Sequence, residues 1–143
     1  MYTAEHVTTT LTQRGLRLTP VRRALIDIFC TASLPLTVQE LLDVLAARVR
    51  QVNKTTVYRE VEFLISQGFV QEFQLGASCR YEVIGHHHHL LCERCQTVQC
   101  VEFPEVETVL ESSLGQVADR FNFQANGHIL TITGRCISCS SKT

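Results

Sequence analysis

The sequence predicts an α+β fold in two parts: a helical part that ends in a β-hairpin, and a smaller part that mixes strands with one helix. Three observations predict it. Four helical patterns, each with a start or stop signal, fill the first half of the chain. Two β-prone runs follow them, and after Gly85 the pattern changes to strand-like runs mixed with one helix. With 45% hydrophobic residues among 143, the chain can bury a core.

The four helices are predicted from their capping residues. The first covers about 5–14 and ends at Gly15, a natural C-terminal cap. Each of the other three begins after a side chain that can accept a hydrogen bond from the helix N-terminus: Thr19 (followed by Pro20), Thr37 (in a capping box with Glu40) and Asn53. Gly68 ends the fourth helix.

The two β-prone runs, 69–75 and 79–84, are joined across the loop 76–78 and predict a hairpin. Several helices followed by a hairpin are the outline of a winged helix-turn-helix domain, here residues 1–84. The alternative for this pattern alone is a generic helical domain that carries a hairpin.

After Gly85 the predicted elements are strands over 86–91 and 97–103, a helix from Pro104 to about Arg120, and an alternating strand over 128–133. This pattern predicts a small α/β domain over 85–143. The apolar face of its sheet is a candidate surface for pairing two subunits.

The net charge is −1: nine basic and eight acidic residues lie in 1–84, and four and six lie in 85–143. Any affinity for DNA must therefore come from the local placement of Arg and Lys. No apolar run approaches the ~20 residues that cross a bilayer. The N-terminus lacks the order of a signal peptide, so a cytoplasmic location is expected, where thiols stay reduced.

Four of the seven cysteines form two C-x-x-C pairs: Cys92 with Cys95, and Cys136 with Cys139. Two such pairs complete a tetrahedral four-thiolate shell, which predicts a structural zinc site. The alternatives are two disulfides or a redox pair. Cys30 fits a core position. The last two, Cys79 and Cys100, can be core residues, reactive thiols or metal ligands.

The histidine run His86-His87-His88-His89 predicts metal binding on two faces, because side chains alternate along a strand. Glu82 can reach the face of His87 and His89. The face of His86 and His88 can be completed by an acid of the next helix and by a histidine of the last strand: Glu107 or Glu111, and His128. The alternative is a solvated polar strand.

Several motifs together resemble the ferric uptake regulator (Fur) family: Arg17-Leu18-Thr19-Pro20-Val21-Arg22, Thr55-Thr56-Val57-Tyr58-Arg59, the segment from His86 to Cys95, and His128 eight residues before Cys136. The resemblance covers nearly the whole chain. It implies a homodimer of winged-helix domains joined to dimerisation domains. It also implies that metal binding at the hinge drives binding to a palindromic DNA operator.

The resemblance further implies which residues contact DNA and metal. The helix over 53–67 would enter the major groove, with Tyr58 and Arg59 as DNA contacts and Lys54, Thr55 and Thr56 at phosphates. The alternative for Tyr58 is a core aromatic. Carried over by position, the hinge site uses Glu82, His87 and His89; the second site uses His86, His88, Glu107 or Glu111, and His128.

The sequence departs from the family pattern in two places. Leu34-Pro35-Leu36 stands where many members have a histidine, and this stretch cannot bind metal. A replacement donor is Gln71, Glu72 or Cys79, or the site has fewer protein ligands. Cys100 falls near the position of a family carboxylate, which leaves open the acid ligand and the preferred metal.

These features predict a metal-dependent repressor of metal uptake and homeostasis genes, with a structural Zn(II) and a regulatory Fe(II), or else Zn(II) or Mn(II). Zinc-responsive and peroxide-sensing members of the family are the alternatives. A zinc-ribbon thiol redox protein is a more remote alternative. The sequence contains neither the H-E-x-x-H motif nor the H-x-E motif with P-C-x-x-C, so it does not favour a zinc hydrolase. No enzyme activity, small-molecule substrate or membrane partner is expected.

Overall fold

A computed structural model describes residues 2–85, 87–125 and 128–141. The described residues form two compact units, one before position 86 and one after it. Among the described helices, none is both long enough and apolar enough to span a lipid bilayer.

The first unit begins with four helices: α1 (Ala4–Gln13), α2 (Pro20–Thr31), α3 (Val38–Ala46) and α4 (Lys54–Ser66). The predicted caps form. Thr19 accepts a hydrogen bond from the backbone of α2, Asn53 does the same for α4, and Thr37 and Glu40 make the capping box of α3. The apolar face of each helix packs into one core: Val7, Leu11, Leu25, Phe29, Leu41, Leu45, Val57, Val61 and Leu64. The four predicted helices are therefore confirmed.

The predicted hairpin follows as β1 (Val70–Leu75) and β2 (Ser78–Val83), paired antiparallel. Its turn is shorter than predicted, because Ser78 pairs with Leu75 and leaves only Gly76 and Ala77 between the strands. Gly76 has φ of 61°, a left-handed conformation that glycine adopts without strain. Two backbone hydrogen bonds of 2.9 and 2.8 Å join Leu36 to Tyr81, so the segment before α3 is anchored to this hairpin.

The second unit contains a three-stranded sheet in the order β4-β3-β5, formed by β3 (His88–Cys92), β4 (Val98–Val101) and β5 (Thr131–Gly134). β3 pairs antiparallel with β4 and parallel with β5. The helix α5 (Pro104–Phe121) connects β4 to β5, and a short helix, α6 (Ile137–Ser140), follows β5. The prediction of a strand from residue 128 was wrong in its start, since pairing begins only at Thr131. α6 was not predicted.

Many large apolar side chains of the second unit are exposed. No described residue of α5 is buried, and Val109 and Phe121 are 64% and 68% exposed. Phe123, Ile129 and Ile132 are exposed as well. Large apolar side chains exposed in this number make the second unit a candidate for an interaction with a partner.

Candidate metal centres and nucleic-acid interface

The two C-x-x-C pairs come together at the end of the sheet in the second unit. Cys92 ends β3, and Cys95 lies in the turn that follows it. Cys136 is the N-cap of α6 and Cys139 lies within that helix. One sulfur from each of the four lies within 4.8 Å of the other three. The unpredicted helix α6 is therefore the element that directs the second pair toward the first.

The sulfur geometry of this four-cysteine cluster fits one zinc ion. Cys95 Sγ and Cys136 Sγ are 3.8 Å apart. Two thiolates that each bind a tetrahedral zinc at about 2.3 Å lie about 3.8 Å from one another. A disulfide would bring two sulfurs to about 2 Å, whereas none of the seven cysteines, all of which lie within the described residues, is in a disulfide. The cluster is thus consistent with a structural zinc site.

The electrostatics of the cluster also favour a cation. The backbone N–H of Cys136 donates to Cys92 Sγ over 3.4 Å, and this hydrogen bond is the main cause that lowers the pKa of Cys92 to about 6. The contact with the Cys136 side chain raises the pKa of Cys139 to about 12. Neighbouring thiols cannot all ionise without a cation between them, so metal binding would displace the remaining protons.

One face of β3 carries a second cluster, in which His87, His89 and Cys100 each offer a ligand atom within 4.8 Å of the others. The rings of His87 and His89 lie 5.2 Å apart, centroid to centroid. Cys100 reaches this face from β4, where it is the direct register partner of His89. His89 is buried, and the other two are half-buried.

A third cluster joins His88 on β3 with Glu107 on α5 and His128 before β5. Both histidines point Nε2 at Glu107 Oε1, at 2.5 Å from His88 and 3.2 Å from His128. His88 Nδ1 is buried and has no hydrogen-bond partner among the described residues. Two imidazoles around one carboxylate are a donor set that suits a divalent ion.

Other residues considered for these sites have different surroundings. His86 lies outside the described residues. Glu111 lines the same surface hollow as Glu107, but it belongs to none of the clusters found among the described residues. Cys79 is likewise in none of them, and burial raises the pKa of its thiol. In the first unit, Glu82 is buried on β2 and accepts a 2.8 Å hydrogen bond from Gln71 Nε2.

The expected DNA-contacting residues lie at the start of α4. Tyr58 is 41% exposed, which does not match a core aromatic, and Arg59, Lys54 and Thr55 are exposed as well. Lys54 Nζ lies 5.9 Å from the centre of the Tyr58 ring. The N–H and the hydroxyl of Thr56 both donate to Asn53 Oδ1, so Thr56 takes part in the helix cap.

One structural contact of α4 was missed by the sequence analysis. Arg22 on α2 donates through Nε to Glu60 Oε2 of α4 over 2.7 Å. Its guanidinium also lies 3.5 Å from the centre of the Phe63 ring. Arg22 belongs to the motif that carried the family resemblance, but no local periodicity links it to Glu60.

A capped helix with exposed basic and aromatic residues, in one chain with a four-thiolate cluster and histidine clusters, defines a metal-dependent DNA-binding regulator. Residues 13–133 match the model of the Ferric uptake regulator family, and the chain belongs to this family. It is a metal-dependent transcriptional regulator and not an enzyme, as the sequence predicted.

The relatives of the chain cover nearly its whole length. It is 29% identical over 144 residues to the "Ferric uptake regulation protein" of Synechococcus elongatus, covering 96% of this chain and 95% of that one. It is 28% identical over 135 residues to the "Peroxide operon regulator" of Bacillus subtilis, covering 93% and 90%. The Helicobacter pylori ferric uptake regulator Fur has a similar fold, with a TM-score of 0.74 at 19% identity over 95% of this chain and 90% of that one.

Proposed function

We propose that the chain is a homodimeric repressor of metal-homeostasis genes and that a divalent metal at the hinge switches on its binding to a palindromic operator. The observation that carries this proposal is the pair of imidazoles, His87 and His89, on one face of β3. They lie two and four positions after Gly85, the last residue of the first unit. Ligands at this point can couple metal binding to the position of the DNA-binding unit.

In this proposal Glu82 supplies the ligand from the DNA-binding unit. It lies five positions before His87 in the sequence, at the end of β2. Its hydrogen bond from Gln71 orients the carboxylate, as an outer-shell partner of a metal ligand usually does. Glu82, His87 and His89 would hold the metal, which would supply a Lewis-acidic centre that all three ligands share.

The switch is a shift between two populations. To convert a 1:99 ratio of competent and incompetent states into 99:1, the metal must favour the competent state by about 5.5 kcal/mol. Because the coupling is reciprocal, operator DNA tightens metal binding by the same factor.

Operator recognition is assigned to α4. Its exposed Tyr58 and Arg59 read base edges, while Lys54, Thr55 and Thr56 at the helix N-terminus contact phosphate. A two-fold dimer presents two copies of α4, so the half-sites lie about one helical turn apart or a multiple of it. The exposed apolar side chains of α5 and β5, which include Val109 and Ile132, support pairing of the second units.

Among regulatory metals, imidazole and carboxylate donors accept Fe(II), Mn(II) and Zn(II). Iron was expected from the sequence. A peroxide response is a second candidate, favoured by the similarity to the Bacillus subtilis peroxide operon regulator. It requires a redox-active metal beside His87 or His89, so the identity of the metal separates the two functions.

The experiment is a DNA-binding titration of the purified protein with each metal in turn, after loosely held metal has been removed. The variant His87→Ala/His89→Ala is expected to bind operator only at the basal level, with the four-cysteine zinc retained. His6→Ala is the matched control, because His6 is exposed on α1. If the double variant still responds to metal like the unchanged protein, the hinge site is not the switch.

A further inference from the structure

The chemistry of the hinge cluster differs from that of the cluster on the opposite face of β3. In the register of β3 and β4, His89 lies directly opposite Cys100, and His88 lies opposite Val101. Directly opposite residues in an antiparallel pair project to the same face, with Cβ atoms about 4.5–5.5 Å apart. The face of His87 and His89 therefore gains a sulfur donor from β4. The face of His88 instead gains a carboxylate, Glu107, from α5.

Cys100 has the placement of a ligand rather than of a packing residue. Its Sγ lies within 4.8 Å of donor nitrogens from both His87 and His89. Cys100 is half-buried, and its register partner His89 is 1% exposed. A cysteine that only filled the core would sit among apolar side chains, whereas this one faces two imidazoles.

We propose that the Cys100 thiolate is a ligand of the regulatory metal and that it makes this regulator zinc-responsive. The proposal rests on the function proposed above, since it names the metal of the same hinge site. Two imidazoles and a thiolate, completed by the Glu82 carboxylate, give four donors, the number that zinc takes in closed tetrahedral sites. Thiolate selects soft or borderline metals such as Zn(II), whereas Mn(II) prefers oxygen donors.

This assignment has a consequence for peroxide sensing. Zinc has no accessible redox change in proteins. A zinc-loaded hinge site therefore cannot pass electrons to peroxide, and the histidines beside it stay unoxidised. The thiolate ligand thus favours metal homeostasis over the peroxide response.

Cobalt(II) is the probe that reports the ligand, because thiolate-bound Co(II) gives an intense near-ultraviolet charge-transfer band and Co(II) bound only by nitrogen and oxygen does not. The protein is prepared with zinc in its four-cysteine cluster and then receives one equivalent of Co(II) per chain. Metal analysis before and after the addition of Co(II) verifies that this zinc is retained. The unchanged protein is expected to show the band. Cys100→Ser should bind Co(II) without it, and Cys79→Ser, a matched change of another half-buried cysteine, should keep it.

Operator binding is measured in the same variants. Loss of an outer-shell partner costs about 10–100-fold in metal affinity, so loss of a direct ligand should cost at least as much. We expect Cys100→Ser to need at least tenfold more zinc for half-maximal operator binding, with no such change in Cys79→Ser. Cys100→Asp is expected to remain folded and to respond to Mn(II) or Fe(II) better than to zinc.

The outcomes separate this proposal from the proposed function. If metal still switches operator binding but the band survives in Cys100→Ser, or is absent from the unchanged protein, the thiolate assignment fails and the hinge switch stands. A band that disappears in Cys79→Ser assigns the ligand to Cys79 and also overturns the proposal. If no metal affects operator binding in any variant, the proposed function itself fails, and the assignment fails with it.

Discussion

Arg22 and Glu60 form a largely buried ion pair that joins α2 to the proposed DNA-reading helix, with Nε and Oε2 2.7 Å apart. Their side chains are 12% and 9% exposed. The same guanidinium covers the ring of Phe63 and donates to the carbonyl oxygen of Arg17. The largely buried guanidinium of Arg22 on α2 therefore helps to fix the orientation of α4.

Removing Arg22 should destabilise the first unit. Arg22→Ala leaves the Glu60 carboxylate buried without its partner, which typically costs about 3–5 kcal/mol. The free energy of unfolding from urea denaturation checks this. Arg23→Ala, an exposed position on the same helix, is the control and should change it by less than about 0.5 kcal/mol. Equal losses in the two variants would mean that the ion pair contributes nothing specific.

Arg59 should contribute sequence-specific affinity for the operator. If it reads a base, Arg59→Ala costs about 1–3 kcal/mol on the operator and much less on unrelated DNA. Fluorescence anisotropy with both DNAs measures the difference. Arg135→Ala, an exposed arginine of the second unit, serves as the control. A loss of equal size on both DNAs would instead identify Arg59 as a phosphate contact.

Chelation of the four-cysteine zinc should unfold the second unit and leave the helical unit folded. The ion would join the end of β3 to α6, and much of its binding free energy is folding free energy. Hydrogen exchange before and after a strong chelator is the measurement, with protection expected to vanish in β3 and β5 and to persist in α2 and α4. Retained protection in β3 would show that the sheet is stable without the ion.

Glu107 rather than Glu111 should bind metal with His88 and His128. Glu107→Gln replaces the carboxylate that both histidines contact and is expected to remove one weakly held divalent ion per chain. Glu111→Gln, one helical turn further along α5, is the matched control and should keep the full stoichiometry. Equilibrium dialysis followed by metal analysis decides between them, and loss of the ion only in Glu111→Gln would reverse the assignment.

Local chemistry made much of this architecture predictable. The caps at Thr19, Thr37 and Asn53 depend on residues three positions apart, so the sequence reveals them directly. The alternation of His87, His88 and His89 between faces also follows from strand geometry alone. Each C-x-x-C pair is local, and the presence of two such pairs predicted a shared zinc ion although the pairs lie 41 positions apart.

Contacts between distant segments could not be read in this way. The ion pair of Arg22 with Glu60 joins residues 38 positions apart, and the position of Cys100 beside His89 depends on the register of β3 and β4. Register follows from turn geometry and from which face is buried, and the turn between these strands has no standard two-residue signature. The sequence alone therefore leaves the role of Cys100 open, and the proposal that it is a metal ligand depends on this pairing.

The two halves of the four-cysteine cluster lie 41 residues apart, with α5 and β5 between them. On the ribosome, Cys92 and Cys95 emerge well before Cys136 and Cys139, and β3 emerges before its parallel partner β5. The four-cysteine cluster can therefore form only after translation has passed Cys139. A nascent chain that stalls before Cys136 can already fold its helical unit, but it cannot yet form the four-cysteine cluster of the second unit.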